Sequence, residues 1–231
     1  MDTPSGGAVI HWESAGSGEP LILLHGNGED MSVFSAQTAE FSKHFRVMTI
    51  DSRGHGSSLT GGDKLSLYDM AEDLVPVMDA AGVKKANILG FSDGGNIAMI
   101  FASRHPEMVD RLILSGANSD PGGLALRFYL PMRISQIAAT IASPFSKNAC
   151  RRKELLDLMV LEPKLTRHDL GRINAKTLIT AGEKDMITRS HTEYLHRCIK
   201  DSQLLWFPGG HFTPFEQAES YNAAVLDFLL Q

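Results

Sequence analysis

Short unbroken apolar runs alternate along this chain with stretches whose apolar residues recur at helical spacing. Leu21-Ile22-Leu23-Leu24, Val47-Met48-Thr49-Ile50 and Ala86-Asn87-Ile88-Leu89-Gly90 read as strands buried on both faces, as do residues 111–115, 176–181 and 203–207. Residues 8–13 read as an edge strand, closed by a turn at Gly16-Ser17-Gly18. Between the runs, Leu67, Met70, Ala71, Leu74, Val75 and Met78 share one helical face, with Ser66 as start, Gly82 as stop and Pro76 as an expected disturbance. A second helix runs from the residues after Ser92 to about Arg104. A last one gathers Tyr221, Ala224, Val225, Phe228 and Leu229 on one face. This alternation predicts an α/β fold with a mainly parallel, doubly wound sheet.

Residues 119–172 break the alternation. They contain no strand pattern, only helix-like pieces near 124–140, 147–160 and 167–170. The division expected is a core of residues 1–118 and 173–231 with a small helical cap of residues 119–172. An insertion there would lie over the C-terminal ends of the strands, where open α/β sheets bind ligands.

Composition narrows the partners. The 231 residues suit one domain, with 43% hydrophobic and 21% charged residues. The net charge is −5, and Arg151-Arg152-Lys153 is too short a basic run to suggest a nucleic-acid partner. Two cysteines, Cys150 and Cys198, suggest no disulfide framework, and no metal-ligand spacing occurs. No basic-then-apolar leader opens the sequence and no apolar run approaches a membrane span, so no membrane partner and a cytoplasmic location are expected.

The chemistry centres on Gly90-Phe91-Ser92-Asp93-Gly94-Gly95, a G-x-S-x-G spacing between a strand and a helix. Small residues there permit a sharp turn that lifts a serine hydroxyl above the sheet. That hydroxyl needs a base, and His211 in Pro208-Gly209-Gly210-His211 follows the last strand. The base needs a carboxylate, and Asp185 follows the preceding strand. Asp120 and Glu183 are its competitors. The order Ser92, Asp185, His211 is that of one known triad arrangement. The backbone amides of Asn27 and Asp93 are placed to stabilise an oxyanion.

With His25-Gly26-Asn27-Gly28, Asp51-Ser52-Arg53-Gly54-His55-Gly56-Ser57-Ser58, the Ser92 elbow, residues 182–185 and Gly210-His211 in this order, the chain resembles the α/β-hydrolase superfamily in its small-capped serine-hydrolase branch. The resemblance implies a cofactor-independent hydrolase acting on a small acyl substrate: an ester, thioester or lactone. A carbon–carbon bond hydrolase, a perhydrolase and a non-catalytic ligand receptor share these residues and stay open. The N-terminal strands read as fewer than the family shows. The short cap leaves the acyl pocket open or shared with a second copy in a homo-oligomer.

Other residues carry two readings. Asp93 is favoured by the helix dipole, by about 0.3–1 kcal/mol. Beside the nucleophile it could instead recognise a substrate ammonium, and Ser-Asp-Gly-Gly resembles the elbow of amino-acid ester hydrolases. Phe128, Tyr129, Met132, Phe145 and Met159 are either cap core or lining of an apolar pocket. His25 and His55 are expected to pack structurally, and Arg53 to pair with a carboxylate.

Overall fold

The computed structural model describes residues 1–62 and 64–231. Its strands are β1 (Asp2–Ser5), β2 (Ala8–Ala15), β3 (Pro20–Leu24), β4 (Arg46–Ile50), β5 (Ala86–Phe91), β6 (Val109–Ser115), β7 (Lys176–Gly182) and β8 (Ser202–Phe207). They form one sheet in the order β1-β2-β4-β3-β5-β6-β7-β8. The pairs β1/β2 and β2/β4 are antiparallel, and all others are parallel.

Helices α1 (Ser35–Phe41), α2 (Leu67–Glu72), α3 (Leu74–Ala80), α4 (Asp93–Arg104), α8 (Arg189–Cys198), α9 (Thr213–Glu216) and α10 (Ala218–Leu229) belong to the core. The segment between β6 and β7 holds α5 (Leu126–Ala142), α6 (Lys147–Leu161) and α7 (Arg167–Leu170). The central strands alternate strictly between two apolar clusters. Ile22, Leu24, Ile88 and Leu112 pack with Met70, Ile97 and Phe101 on one face. Leu21, Leu23, Leu89 and Ile113 pack with Phe41, Tyr221 and Val225 on the other. That two-residue period explains why each run is apolar throughout.

The N-terminus corrects the sequence reading. Residues 8–13 are not an edge strand, because β1 pairs outside them through a turn at Gly6-Gly7, both at positive φ (49° and 84°). The strand Asp2–Ser5 is short and polar, so hydrophobic pattern does not betray it. The helix expected over 67–81 is two helices broken at Asp73. Pro76 has no N–H to give the carbonyl of Glu72, so the ladder cannot run through.

The break at Asp73 serves the loop after β4. Arg53 donates to both carboxylate oxygens of Asp73, at 2.9 and 2.6 Å, and Ser5 Oγ donates to the same carboxylate at 2.5 Å. Both charged side chains are almost fully buried. The segment between β6 and β7 is tied to α2: Glu162 accepts from the Leu67 amide at 2.8 Å, and the Lys164 amide donates to the Tyr68 hydroxyl at 2.9 Å. Among the described residues no helix is long and apolar enough to cross a membrane.

Removing one partner of a buried ion pair leaves an uncompensated charge. Asp73→Ala is therefore expected to lower unfolding stability by about 3 kcal/mol in urea titration. A change within about 0.5 kcal/mol would contradict the role given to this pair.

Candidate active site

Ser92 sits where β5 ends and α4 begins, with φ 54° and ψ −121°. It is the one non-glycine residue at positive φ among those described. Such a conformation costs roughly 1–3 kcal/mol and persists only if its surroundings enforce it. They do so by close approach. A Cβ at Gly94 would lie 2.0 Å from the Leu24 carbonyl oxygen, and one at Gly90 would lie 2.2 Å from that of Gly94. The Ser92 amide donates to the Ser115 carbonyl at 2.8 Å, and its carbonyl accepts from the Asn96 amide at 3.1 Å.

His211 reaches back over the sheet from the loop after β8. Its Nε2 lies 2.9 Å from Ser92 Oγ, and its Nδ1 lies 2.7 Å from Asp185 Oδ1. The ring leans on Phe91, with centroids 5.0 Å apart. Gly116 makes room for it, because a Cβ there would meet His211 Cε1 at 2.8 Å. Asp185 also accepts from the amides of Ile187 at 3.0 Å and Gly182 at 3.3 Å. Burial works against its charge. The hydrogen bond and charge of His211, with those two amides, outweigh burial and hold the carboxyl below its ordinary pKa. An ionised Asp185 accepts from Nδ1–H, which leaves the Nε2 lone pair facing the serine hydroxyl.

The competitors lie elsewhere. Asp120 accepts from the Gly122 amide at 2.8 Å and stands 4.0 Å from His191. Glu183 is exposed. The amides of Asn27 and Asp93 donate to no protein acceptor among the described residues, and Asp93 opens α4, where an N–H has no intrahelical partner. The neighbouring Gly26 amide is taken by Glu29 Oε2 at 2.9 Å.

A pocket of about 80 Å³ opens beside Ser92, lined by Gly26, Asn27, Glu29, Phe91, Met159, Met186, His211 and Phe212. Of the apolar cap residues expected there, Met159 is present. Phe128, Tyr129 and Met132 are half-buried on α5 and do not line it. Phe145 is 89% exposed, which removes it from the pocket. It lies in the short 3-10 turn Ser143–Phe145 just past α5.

Sequence reasoning missed Glu29. The signal was a carboxylate three residues after Gly26, close enough to reach back to that amide. Burial raises the Glu29 pKa above its ordinary value, against the lowering effect of the Gly26 amide. Asp93 is placed differently from a pocket residue. Its carboxylate is buried and accepts from Asn27 Nδ2 at 2.8 Å and Asn96 Nδ2 at 3.0 Å. Burial raises its pKa despite both amides. Asn27 Nδ2 also donates to the Leu155 carbonyl at 3.0 Å, which links the elbow to the cap.

The two loop histidines are structural. His25 Nε2 accepts from the Ser52 amide at 3.0 Å. His55 is buried against His25, and burial, then the charge of His25, depresses its pKa to about 4 despite a bond to the Arg53 carbonyl.

A profile of the alpha/beta hydrolase fold family matches residues 19–156, and the chain belongs to that family. Several of its relatives are named as hydrolases. It is 29% identical to a human protein named serine hydrolase BPHL, across 96% of this chain and 84% of that one. It is 28% identical to a 2-hydroxy-6-oxo-6-phenylhexa-2,4-dienoate hydrolase of Burkholderia cepacia, across 95% and 91% of the two chains. The enol-lactonase of Burkholderia xenovorans LB400 superposes over the whole of both chains with a TM-score of 0.84 at 21% identity, which is a likeness of fold.

The geometry separates the carboxylates experimentally. Asp185→Asn is expected to lower kcat by roughly 10³- to 10⁴-fold, because the amide cannot hold the imidazole in the same tautomer. Asp120→Asn should stay within about twofold of the parent, being outside that hydrogen-bond chain. Steady-state kinetics on one ester decides, and a reversed order would move the acid to the Asp120 position.

Proposed function

We propose that this hydrolase cleaves a small carboxylic ester, thioester or lactone through an acyl-enzyme on Ser92. The observation that carries the reading is the continuous hydrogen-bond chain from Ser92 Oγ through His211 to Asp185 at a strained, glycine-enforced elbow. In this reading His211 Nε2 takes the hydroxyl proton as Oγ attacks the acyl carbon. The C=O π electrons move to the oxygen, and the amides of Asn27 and Asp93 receive that oxyanion. One such donor is worth about 3 kcal/mol in the transition state. His211 then returns the proton to the leaving alcohol, thiol or ring oxygen. In the second half-reaction His211 takes a proton from water as the water oxygen bonds the acyl carbon, then gives it to Ser92 Oγ as the C–Oγ bond breaks and the acid leaves.

The pocket's charge favours a neutral or cationic acyl group. Its lining holds one carboxylate, Glu29, and no lysine or arginine. A dienoate carries its own carboxylate, and here that anion would meet Glu29 without a cation to anchor it. The dienoate-hydrolase relatives make carbon–carbon cleavage the second reading, and the pocket charge weighs against it. An ammonium on the substrate would find Glu29 in the lining, whereas the Asp93 carboxylate is already bonded to two side-chain amides. Asp93 thereby supports the elbow through Asn27 and Asn96.

A panel of matched neutral and anionic esters, with a dienoate, tests both halves of the reading. Ser92→Ala should lose ester turnover at least about 10³-fold while keeping its melting temperature. Full activity in that variant, or a dienoate preferred over every ester, would overturn it.

Repulsion between like charges several ångströms apart in a partly solvated site is about 1.4 kcal/mol, a factor of ten in rate. Neutral esters should therefore exceed matched anionic ones by about tenfold in kcat/KM at pH 8. Because the Glu29 pKa is raised, it protonates early on acidification. The preference should shrink as pH falls, and Glu29→Gln should abolish it at every pH. A preference unchanged by pH and by that variant would remove Glu29 from substrate selection.

A further inference from the structure

Helix α5 carries two unlike faces. One turns Gln136 and Ala139 into the cap, where both are buried. On the other, Leu126, Leu130, Ile134, Ile137 and Ile141 are between 48% and 70% exposed. At 100° per residue these five fall within an arc of about 80°. Phe145, just past the helix, extends the stripe and is 89% exposed. More than half of the large exposed apolar side chains among the described residues lie in this one segment. Scattered exposed apolar residues need no explanation, but a contiguous patch marks an interaction surface.

Charge says which surface. The chain as a whole has a net charge of −5, yet residues 121–153 hold six cations and no Asp or Glu. On the helical projection Arg127 and Arg133 flank the apolar stripe on its two sides. Lys147 and Arg152 lie on α6, which packs on the other side of α5. None of these four has a carboxylate partner among the described residues. Arg133 donates to Gln136 at 2.8 Å and Arg152 to Ser135 at 2.7 Å, while the Arg127 guanidinium lies over the Phe128 ring. A second copy docked face to face would press two such basic rims together. An anionic surface with an apolar interior would satisfy both the stripe and the rim.

We infer that the outer face of α5 docks on the surface of an anionic lipid bilayer, with the stripe in the acyl boundary and the arginines at the headgroups. Apolar burial and attraction to anionic lipid add in this mode of attachment, and long basic side chains extend to the polar layer. The helix lies in the interface and does not cross it. Among the described residues no helix is long and apolar enough to span; an in-plane helix is a different structure and needs no long apolar run.

Co-sedimentation of the full chain with lipid vesicles tests this. Vesicles of phosphatidylcholine alone are compared with phosphatidylcholine and phosphatidylglycerol at roughly 2:1, at low and high salt. Binding to the anionic vesicles is expected to exceed binding to neutral ones by at least about tenfold, and to weaken in high salt. The pair Ile134→Ser with Ile141→Ser, and the pair Arg127→Gln with Arg133→Gln, should each weaken it about tenfold or more. Melting temperature and ester turnover without lipid should match the parent in both, which shows that the variants fold. Absence of anionic-vesicle binding by the folded parent, or binding unchanged in both pairs, would overturn the inference. So would a dimer by light scattering that the isoleucine pair splits, since a second copy would then occupy the face.

Discussion

At Ser92 the backbone turns through a positive φ that a β-carbon disfavours, and it does so between a strand and a helix that cannot move apart. The reason is steric. Gly94 lies so close to the Leu24 carbonyl, and Gly90 to that of Gly94, that no side chain fits at either place. This contact fixes α4 against β3 and β5. It sets the first turn of α4, which begins at Asp93, directly after Ser92. The remaining groups reach this elbow from other strand ends: Asn27 from β3, Asp185 from β7, His211 from β8. Parallel strands bring those ends to one edge of the sheet, so residues far apart in sequence converge there.

Around the elbow, buried polar groups hold positions and do not compete for substrate. Asp93 is bonded to Asn27 and Asn96, and Asn27 in turn holds the Leu155 carbonyl of the cap. One amide side chain therefore couples the loop after β3, the elbow and α6. Glu29 plays a similar part at Gly26, but its carboxylate also faces the pocket. It takes the Gly26 amide, while that of Asn27 stays without a protein acceptor among the described residues. Among the described residues Glu29 is the one carboxylate in the pocket lining, beside His211.

The core strands were legible in the sequence because each is buried on both faces, so a local apolar run suffices to mark it. The elbow was legible because steric exclusion leaves glycine at fixed spacing around Ser92. His211 and Asp185 followed from their places after successive strands. What escaped depends on contacts, not on pattern. The short polar strand Asp2–Ser5 exists only through pairing with residues 8–11, a registration that composition does not encode. The direction of the Asp93 carboxylate rests on the amides that meet it, and those come from Asn27 and Asn96. Phe145 looks like any apolar cap residue, and only the packing of α5 on α6 decides that it points outward. Pro76 announced a disturbance, but the break at Asp73 also reflects the demand of Arg53 for a buried partner.

The central claim is that Ser92 carries the acyl group between two half-reactions. Rapid acid quench during turnover of a slow-deacylating ester, followed by peptide mass spectrometry, measures it directly. The account predicts one peptide, that containing Ser92, heavier by the acyl group and formed in a burst stoichiometric with enzyme. Turnover with no acylated peptide at any time, or an acyl group found on another residue, would contradict it.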